Sequence, residues 1–384
     1  MTAIGFALTD EQLRLREKAR DFARREIDPV AKDHDAKASF PWTVLERARA
    51  AGLRNICVPR SYGGLGHGVL EGCFVVEEIA HGCGGVANAF TINEVVSLPI
   101  ISDGTKEQCR KWLGALVEGQ LGSLAVTEPG AGSDLGAMAS TATRRGDEYV
   151  LHGTKTLISN VAESAFFLLF AKTPGSDSRS GMSAFIVPRE SPGLRVARVF
   201  DKMGQRASDT GEIELHEVVI PASHRIGAEG QGLAIMTKAF GGARPWTAAA
   251  TLGVGRRAME ESVRYAKERQ ASGQPIWKHQ AIGHKLAEMA MNLEAGRLLM
   301  WKAAWGVDIG QAAPELLACA KTFAADSVMT ICTDAVQIFG GYGYMRDFPV
   351  EKLMRDAKAF QIYDGTSEIQ RNVIARHLVR RTGG

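Results

Sequence analysis

The spacing of apolar residues changes twice along this chain, and those changes limit the architectures open to it. From residue 9 to about 121, apolar side chains recur every three or four positions, as in Val44, Leu45, Ala48 and Leu53. That period places them on one face of a helix. Breaks at Asp28-Pro29, Phe40-Pro41 and Tyr62-Gly63-Gly64 separate the helices. From Gly122 to about Glu229, short β-branched or aromatic runs alternate with Gly, Asp and Ser turns. They are Tyr149-Val150-Leu151, Phe166 to Phe170, Ala184 to Val187, Leu194 to Val199 and Glu212 to Leu215. Such a pattern predicts an antiparallel sandwich or barrel. Beyond Gly232 the helical period returns. Arg244-Pro245 is expected to open a long helix running towards Arg269, with Pro at a favoured first-turn position. Segments at about 280–306 and 314–339 carry the unbroken stripes of a bundle. The expected class is α+β and multidomain. An N-terminal helical domain (1–121) precedes a central antiparallel β domain (122–235) and a C-terminal helical bundle domain (236–384).

Charge and cysteine usage exclude several function classes. A net charge of +3 over 384 residues is too small and too dispersed for a nucleic-acid partner. The basic run Arg14, Arg16, Lys18, Arg20, Arg24 and Arg25 interleaves with Leu15, Ala19, Phe22, Ala23 and Ile27 at helical spacing, so it reads as a solvated helix face. The six cysteines contain no C-x-x-C and read as reduced, buried and structural. The nine histidines show no metal-ligand pairing, so no metal is expected. No apolar run is read as long enough to span a membrane. Thr9 and Gln12 have capping-box spacing, which leaves no room for a leader before the first helix; the expected location is cytoplasmic.

Three stretches carry candidate chemistry. Gln361 to Arg371 is an apolar segment, an acid on a Gly-containing turn and a helix start, with Ser367 and Gln370 at capping-box spacing and Glu368 at the positive helix end. Asp364 held there, beside the N–H of Gly365 or Thr366, suits proton abstraction with oxyanion support; taken alone, it is also an ordinary surface turn. Thr127-Glu128-Pro129-Gly130-Ala131-Gly132-Ser133-Asp134 is a small-residue loop. It misses the dinucleotide fingerprint by one residue but lets backbone approach an anion or flat ring. Gln337 to Tyr344 ends a helix in clustered glycines, and Arg355-Asp356 is either a buried structural pair or a substrate contact. Neither a phosphate-binding G-x-x-x-x-G-K-[ST] nor a G-x-S-x-G nucleophile elbow is present.

Taken together, these stretches resemble the acyl-CoA dehydrogenase family over essentially the whole chain, most closely its medium-chain type. The resemblance rests on Val126 to Asp134, Gln337 to Gly343, Arg355-Asp356-Ala357-Lys358 and Ile362 to Arg371. Tyr62 to Gly66 and Met203-Gly204-Gln205-Arg206 fall in register between them. It implies an N-terminal α-helical domain, a central antiparallel β domain and a C-terminal four-helix bundle. The assembly it implies is a homotetramer with FAD at subunit boundaries. It further implies that a carboxylate takes the α-proton of an acyl-CoA thioester while a hydride leaves the β-carbon for the flavin, giving a 2-enoyl-CoA. The carbonyl is then polarised by the cofactor's ribityl hydroxyl and the backbone N–H of the acid. Electrons would pass to an electron-transfer flavoprotein. Asp364 falls at the catalytic position. The FAD positions fall on Leu124, Val126, Thr127, Gly132, Ser133, Leu157 and Ser159 in the β segment. In the helical segment they fall on Arg269, His279, Gln280, Gln337, Phe339, Gly340, Gly341, Thr366 and Glu368. Substrate positions fall on Ser133, Gly241, Arg244, Tyr363 and Gly365.

The chain also departs from the family pattern. Asp364 stands where Glu is usual, a loss of reach of about 1.5 Å, and misplacement by about 1 Å can cost about a hundredfold in rate. Ala243 occupies the alternative site of the acid, so no relocated base is available. Leu157 replaces a Trp beside the flavin, Gly241-Gly242-Ala243 replaces a loop that commonly carries an Asp, and Ser272 stands where R-x-x-F-G has Phe. Glu94 is expected either to face the acyl group as a second acid or, as Glu is rarely fully buried, to face solvent. Asp in the catalytic position makes a cyclic or α-branched substrate the working hypothesis. Variant chemistry on the same scaffold, such as 1,4-elimination or flavin chemistry without net oxidation, is the alternative, followed by a non-catalytic flavin-binding protein.

Overall fold

The computed structural model describes residues 7–174 and 181–382. Seven helices come first: α1 (Asp10–Phe22), α2 (Ala31–Lys37), α3 (Trp42–Ala50), α4 (Val69–Gly82), α5 (Gly84–Asp103) and the short α6 (Lys106–Gln108) and α7 (Gly114–Val117). Thr9 and Gln12 form the expected capping box on α1. The basic run lies on the outer face of α1 while Ala19, Phe22, Ala23 and Ile27 are buried. Arg20 is the exception, since it turns inward to Glu78 of α4 at 3.0 Å.

The β region comprises β1 (Gly122–Ala125), β2 (Thr141–Arg145), β3 (Glu148–Ser159), β4 (Phe166–Lys172), β5 (Met182–Pro188), β6 (Leu194–Val199), β7 (Thr210–Pro221) and β8 (Arg225–Ile226). They form one sheet in the order β6-β7-β3-β2-β4-β5-β8, with β1 also paired to β4. All five runs marked in the sequence are strands. The sheet is not wholly antiparallel, however, because β1 runs parallel to β4 and β2 meets β4 in parallel at one pair. Side chains alternate across the sheet. Phe167, Leu169 and Ala171 enter a core with Tyr149, Phe185 and Ile213, whereas Phe166, Leu168 and Phe170 face the helices with Trp112, Leu113 and Ile235.

Five helices follow: α8 (Gly232–Glu268), α9 (Gln280–Asp308), α10 (Pro314–Phe339), α11 (Val350–Phe360) and α12 (Ser367–Thr382). A hairpin of β9 (Gln270–Ala271) and β10 (Gln274–Pro275) separates α8 from α9. The expected helix start at Arg244-Pro245 is overturned: α8 begins at Gly232 and carries Pro245 inside it. Proline there forfeits one intrahelical hydrogen bond and crowds the carbonyl of Gly241, a site that lacks a side chain to add to the clash. Residues from α1, α4 and α5 share one apolar core with α8, α9, α10 and α11. The two helical regions are therefore packed together through one core, and one face of the sheet lies against them. Two helices, Gly84–Asp103 and Pro314–Tyr344, do reach membrane-spanning length and apolarity, contrary to expectation, but 83% and 56% of their apolar windows are buried inside the protein. Their apolar character is explained by this packing. All six cysteines are free thiols, with Cys73, Cys83, Cys109 and Cys332 buried.

Candidate active site

α11 stops at Phe360, and the chain turns back through residues 361–366 before α12 begins. The turn is left-handed at Asp364 (φ 54°) and Gly365 (φ 86°). Asp tolerates this conformation better than most side chains, at a cost of about 1–3 kcal/mol that the surroundings must over-determine. They do so from two sides of α10. Lys321 donates to the Gly365 carbonyl at 2.7 Å, and Asp326 accepts from Gln361 at 2.8 Å and from Ser367 at 2.9 Å while pairing with Arg371. The expected Ser367–Gln370 capping box does not form. Thr366 caps α12, accepting from the Ile369 N–H at 3.2 Å, because Ser367 already lies inside the helix and spends its hydroxyl on Asp326. Gln370 turns back instead and donates to the carbonyls of Asp364 (2.9 Å) and Gly365 (3.2 Å).

The Asp364 carboxylate accepts a hydrogen bond from Thr247 of α8. Arg244, one turn earlier on the same face, and Lys321 of α10 place two positive charges near it. Burial pulls Lys321 down to about 8, against the attraction of Asp364 and Asp326. Burial also lowers Arg244, opposed by Asp364, and its Nε is buried without a partner among the described residues. Among the described residues the Asp364 N–H has no acceptor, which leaves it free for an incoming carbonyl. Neither Thr247 nor Lys321 was singled out in the sequence. Signals existed: Thr247 follows Arg244 by three residues, and Lys321 interrupts the apolar stripe of Leu317, Ala318, Ala320, Ala324 and Ala325. Tyr363 keeps its hydroxyl at Gln205 Nε2, 3.3 Å away, with its ring edge-on to Phe360.

Glu94 does not face solvent. It is 2% exposed and accepts from the N–H groups of Ile56 (2.8 Å) and Cys57 (3.3 Å). Burial raises its carboxyl above the ordinary range, only partly opposed by those N–H groups and by Arg54. Arg355 and Asp356 are structural, though not paired with each other. Arg355 binds Asp35 and Glu351, and Asp356 binds Lys352 and the Gln205 N–H. Gly242 sits where a Cβ would meet Leu98 of α5 at 2.8 Å, while Gly241 has only Leu317 nearby, at 3.6 Å.

The 127–134 loop leaves the end of β1 and is closed from below by a buried ion pair. Glu128 accepts from Lys155 at 2.7 Å and from the N–H groups of Ala139 and Ser140, and Lys155 also donates to the Val126 carbonyl at 3.1 Å. Burial would raise Glu128, but Lys155 and Ser140 hold it below the ordinary carboxylate range; burial brings Lys155 to about 8. Above this floor Thr127 and Leu124 are half-buried, and Gly132 and Ser133 are exposed at the rim. Leu157 stands on a bulge of β3 at φ 58°, 61% exposed, two residues before Ser159. The hydroxyls of Thr127, Ser133 and Ser159 make no hydrogen bond among the described residues. Apart from each glycine's own neighbours along the chain, no atom of the described residues lies within 4 Å of where a Cβ would stand on Gly130, Gly132, Gly340 or Gly341.

A second concavity of about 500 Å³ lies at the end of the bundle, lined by Tyr265, Arg269, Ile276, Phe339, Gly340 and Gly341. Tyr265 and Phe339 stack as its floor at 4.1 Å and 15°. His279 precedes α9 and reaches the Ala271 carbonyl at 3.2 Å; Gln280 and Gln337 are exposed. The lining of this cleft includes no residue of the β region or of the Asp364 turn. Most FAD positions thus fall in two groups, on the β region and around this end of the bundle, with Thr366 and Glu368 apart at the start of α12.

Unspent hydroxyls and bare glycine backbone are what a flat, phosphate-bearing cofactor needs, so the residues present fit FAD. On the Asp364 turn, a carboxylate with an open backbone N–H suits removal of a proton next to a carbonyl, and these features define a flavoprotein oxidoreductase of a carbonyl substrate. Family models for the acyl-CoA dehydrogenase N-terminal, middle and C-terminal domains match residues 9–120, 123–218 and 230–379, and the chain belongs to the acyl-CoA dehydrogenase family. It is 39% identical to a cyclohexane-1-carbonyl-CoA dehydrogenase of Geobacter metallireducens, over 97% of this chain and 98% of that one. It is also 39% identical to a 3-(aryl)acrylate reductase of Clostridium sporogenes, over 97% and 99%. The butyryl-CoA dehydrogenase structure from Megasphaera elsdenii superposes with a TM-score of 0.94 at 36% identity, over 98% of this chain and all of that one. Similar solved structures include FAD complexes. The protein is an FAD-dependent oxidoreductase of acyl-CoA metabolism.

Proposed function

We propose that the protein catalyses α,β-dehydrogenation of an acyl-CoA thioester to a 2-enoyl-CoA, with Asp364 as the base that takes the α-proton. The observation that carries this reading is the carboxylate's setting on a left-handed turn, with Thr247, Arg244 and Lys321 around it and its own N–H unspent. That N–H donates to the thioester carbonyl as the α-proton leaves, and Arg244 and Lys321 supply positive charge against the enolate that develops. FAD, when bound, supplies the acceptor for the β-hydride. Thr127, Ser133 and Ser159 would hold it from the β region, and Arg269, His279, Gln280, Gln337, Gly340 and Gly341 from the bundle. Two groups on one chain agree with FAD shared between copies in a homotetramer. An electron-transfer flavoprotein is the proposed acceptor, and a cytoplasmic location is proposed with it.

A cyclic or α-branched acyl group is the proposed substrate class. The cyclohexane-1-carbonyl-CoA dehydrogenase among the relatives supports it. Glu94 is committed to two backbone N–H groups, which argues against a second acid for 1,4-elimination. The relative acting as a 3-(aryl)acrylate reductase favours one second reading: the same site run towards reduction. Anaerobic addition of butyryl-, isobutyryl- and cyclohexane-1-carbonyl-CoA to the oxidised holoenzyme, read by flavin absorbance and product mass, separates the two. Bleaching with an enoyl product supports dehydrogenation, fastest with the cyclic thioester. Much faster turnover of the linear substrate would refute the substrate class. No bleaching by any saturated thioester, with oxidation of the pre-reduced enzyme by an enoyl substrate, would establish the reductive reading.

A further inference from the structure

We propose that Thr247 is the positioning residue that makes a short carboxylate serviceable as the base. This rests on the assignment of Asp364 given above. Asp364 hangs on a turn whose backbone is fixed by Lys321 and Gln370, so the remaining freedom lies in its side-chain torsions. A carboxylate has two oxygens, and the Thr247 hydroxyl donates to one of them, Oδ2. That leaves Oδ1 for the substrate and fixes the direction in which it points. Thr247 itself is firmly placed. It lies within α8, is 7% exposed, and is β-branched, which restricts its side-chain torsion in a helix. Its neighbours on the helix are also held, since Thr251 donates to the Thr247 carbonyl at 2.6 Å. Among the described residues the one other acceptor for the Thr247 hydroxyl is the Ala243 carbonyl, at 3.5 Å, the outer limit of a hydrogen bond. The single hydroxyl proton is therefore committed to the carboxylate.

Chemistry requires such a support here. A base that is one methylene short has fewer torsions with which to find Cα, so its productive rotamer has to be selected by the protein. Arg244 and Lys321 attract the carboxylate without direction, whereas a hydroxyl donor is directional. Without that donor Asp364 would be free to rotate among its side-chain rotamers, with nothing directional to keep Oδ1 turned to the substrate.

The test uses the FAD-loaded holoenzyme with Thr247→Val, which keeps shape and removes the donor, and Thr247→Ser, which restores it. The probe is whichever of butyryl- or cyclohexane-1-carbonyl-CoA bleaches the wild-type flavin faster, carrying deuterium at Cα or at Cβ. In Thr247→Val, kcat is expected to fall roughly tenfold or more, the scale of a misdirected general base, with KM and FAD content unchanged. The isotope effect from Cα deuterium should rise while that from Cβ falls, because proton removal becomes the slower event. Solvent deuterium exchange into Cα, followed by NMR, should slow in parallel, and Thr247→Ser should recover most of the loss. A Thr247→Val enzyme whose kcat and Cα isotope effect stay within twofold of wild type overturns the proposal, as does a loss that Ser does not recover. Asp364→Ala is run alongside: exchange retained in that variant refutes the base assignment itself, a different result from failure of Thr247 alone.

Discussion

At the scale of single residues, function turns on how a short acid is surrounded. Asp364→Ala is expected to keep FAD but lose α-proton exchange, measured by NMR in deuterated buffer. Asp364→Glu should raise activity on linear thioesters if reach limits the native enzyme, read as kcat against chain shape. Lys321 gives a pH prediction. Its ammonium faces Asp364, Asp326, Arg244 and Glu368, and burial has brought it to about 8. Because the charged form opposes the enolate's negative charge, turnover should decline as pH rises through about 8. A Lys321→Met enzyme should be slower at neutral pH and lack that decline, which a kcat profile from pH 6 to 9.5 would reveal. The acid and its motif were legible in the sequence, because Asp-Gly before a helix start is local chemistry. Thr247, Lys321 and the ties of Glu94 were not, since the burial of a polar or ionisable group depends on partners far along the chain.

At the scale of elements, one turn is held by the helix behind it. Lys321 and Asp326 lie five residues apart on α10: Asp326 ties the two ends of the 361–367 segment at Gln361 and Ser367, and Lys321 holds the Gly365 carbonyl between them. Thr366 is the cap that starts α12, and Thr366→Ala is expected to cost about 1 kcal/mol, measured by denaturant titration of the holoenzyme. The five strands that announced themselves did so through branched and aromatic runs. β1 (Gly122–Ala125) escaped notice because Gly-Ser-Leu-Ala has neither, and its parallel pairing with β4 has no local signature. Arg244-Pro245 misled for the converse reason. A strong local start signal lay inside a longer helix whose surroundings tolerate the missing N–H.

At the scale of the molecule, the two helical regions are joined by buried charge as well as by apolar packing. Glu78 of α4 accepts from Arg20 of α1 at 3.0 Å and from Arg256 of α8, and Glu77 pairs with Arg297 of α9 at 3.0 Å. Burial alone would raise Glu78, but its two arginines hold it below the ordinary carboxylate range. The stability it adds is therefore present at neutral pH and lost as pH falls through that lowered value. Glu78→Gln removes the shared anion of Arg20 and Arg256, though Arg20 is 35% exposed and Arg256 keeps Glu77 and Glu260; it is expected to cost about 1.5–3 kcal/mol, seen as a lower Tm at pH 7 and a smaller difference from wild type in acid.

Because α1, α4 and α5 interleave with α8, α9 and α10 in one interior, the strands between them are in effect a passenger spliced into a helical host. Cutting the backbone in a loop of that passenger should leave two pieces that travel together through gel filtration and part only in denaturant. Neither end of the gene, expressed alone, should yield a body able to shelter its own oily side.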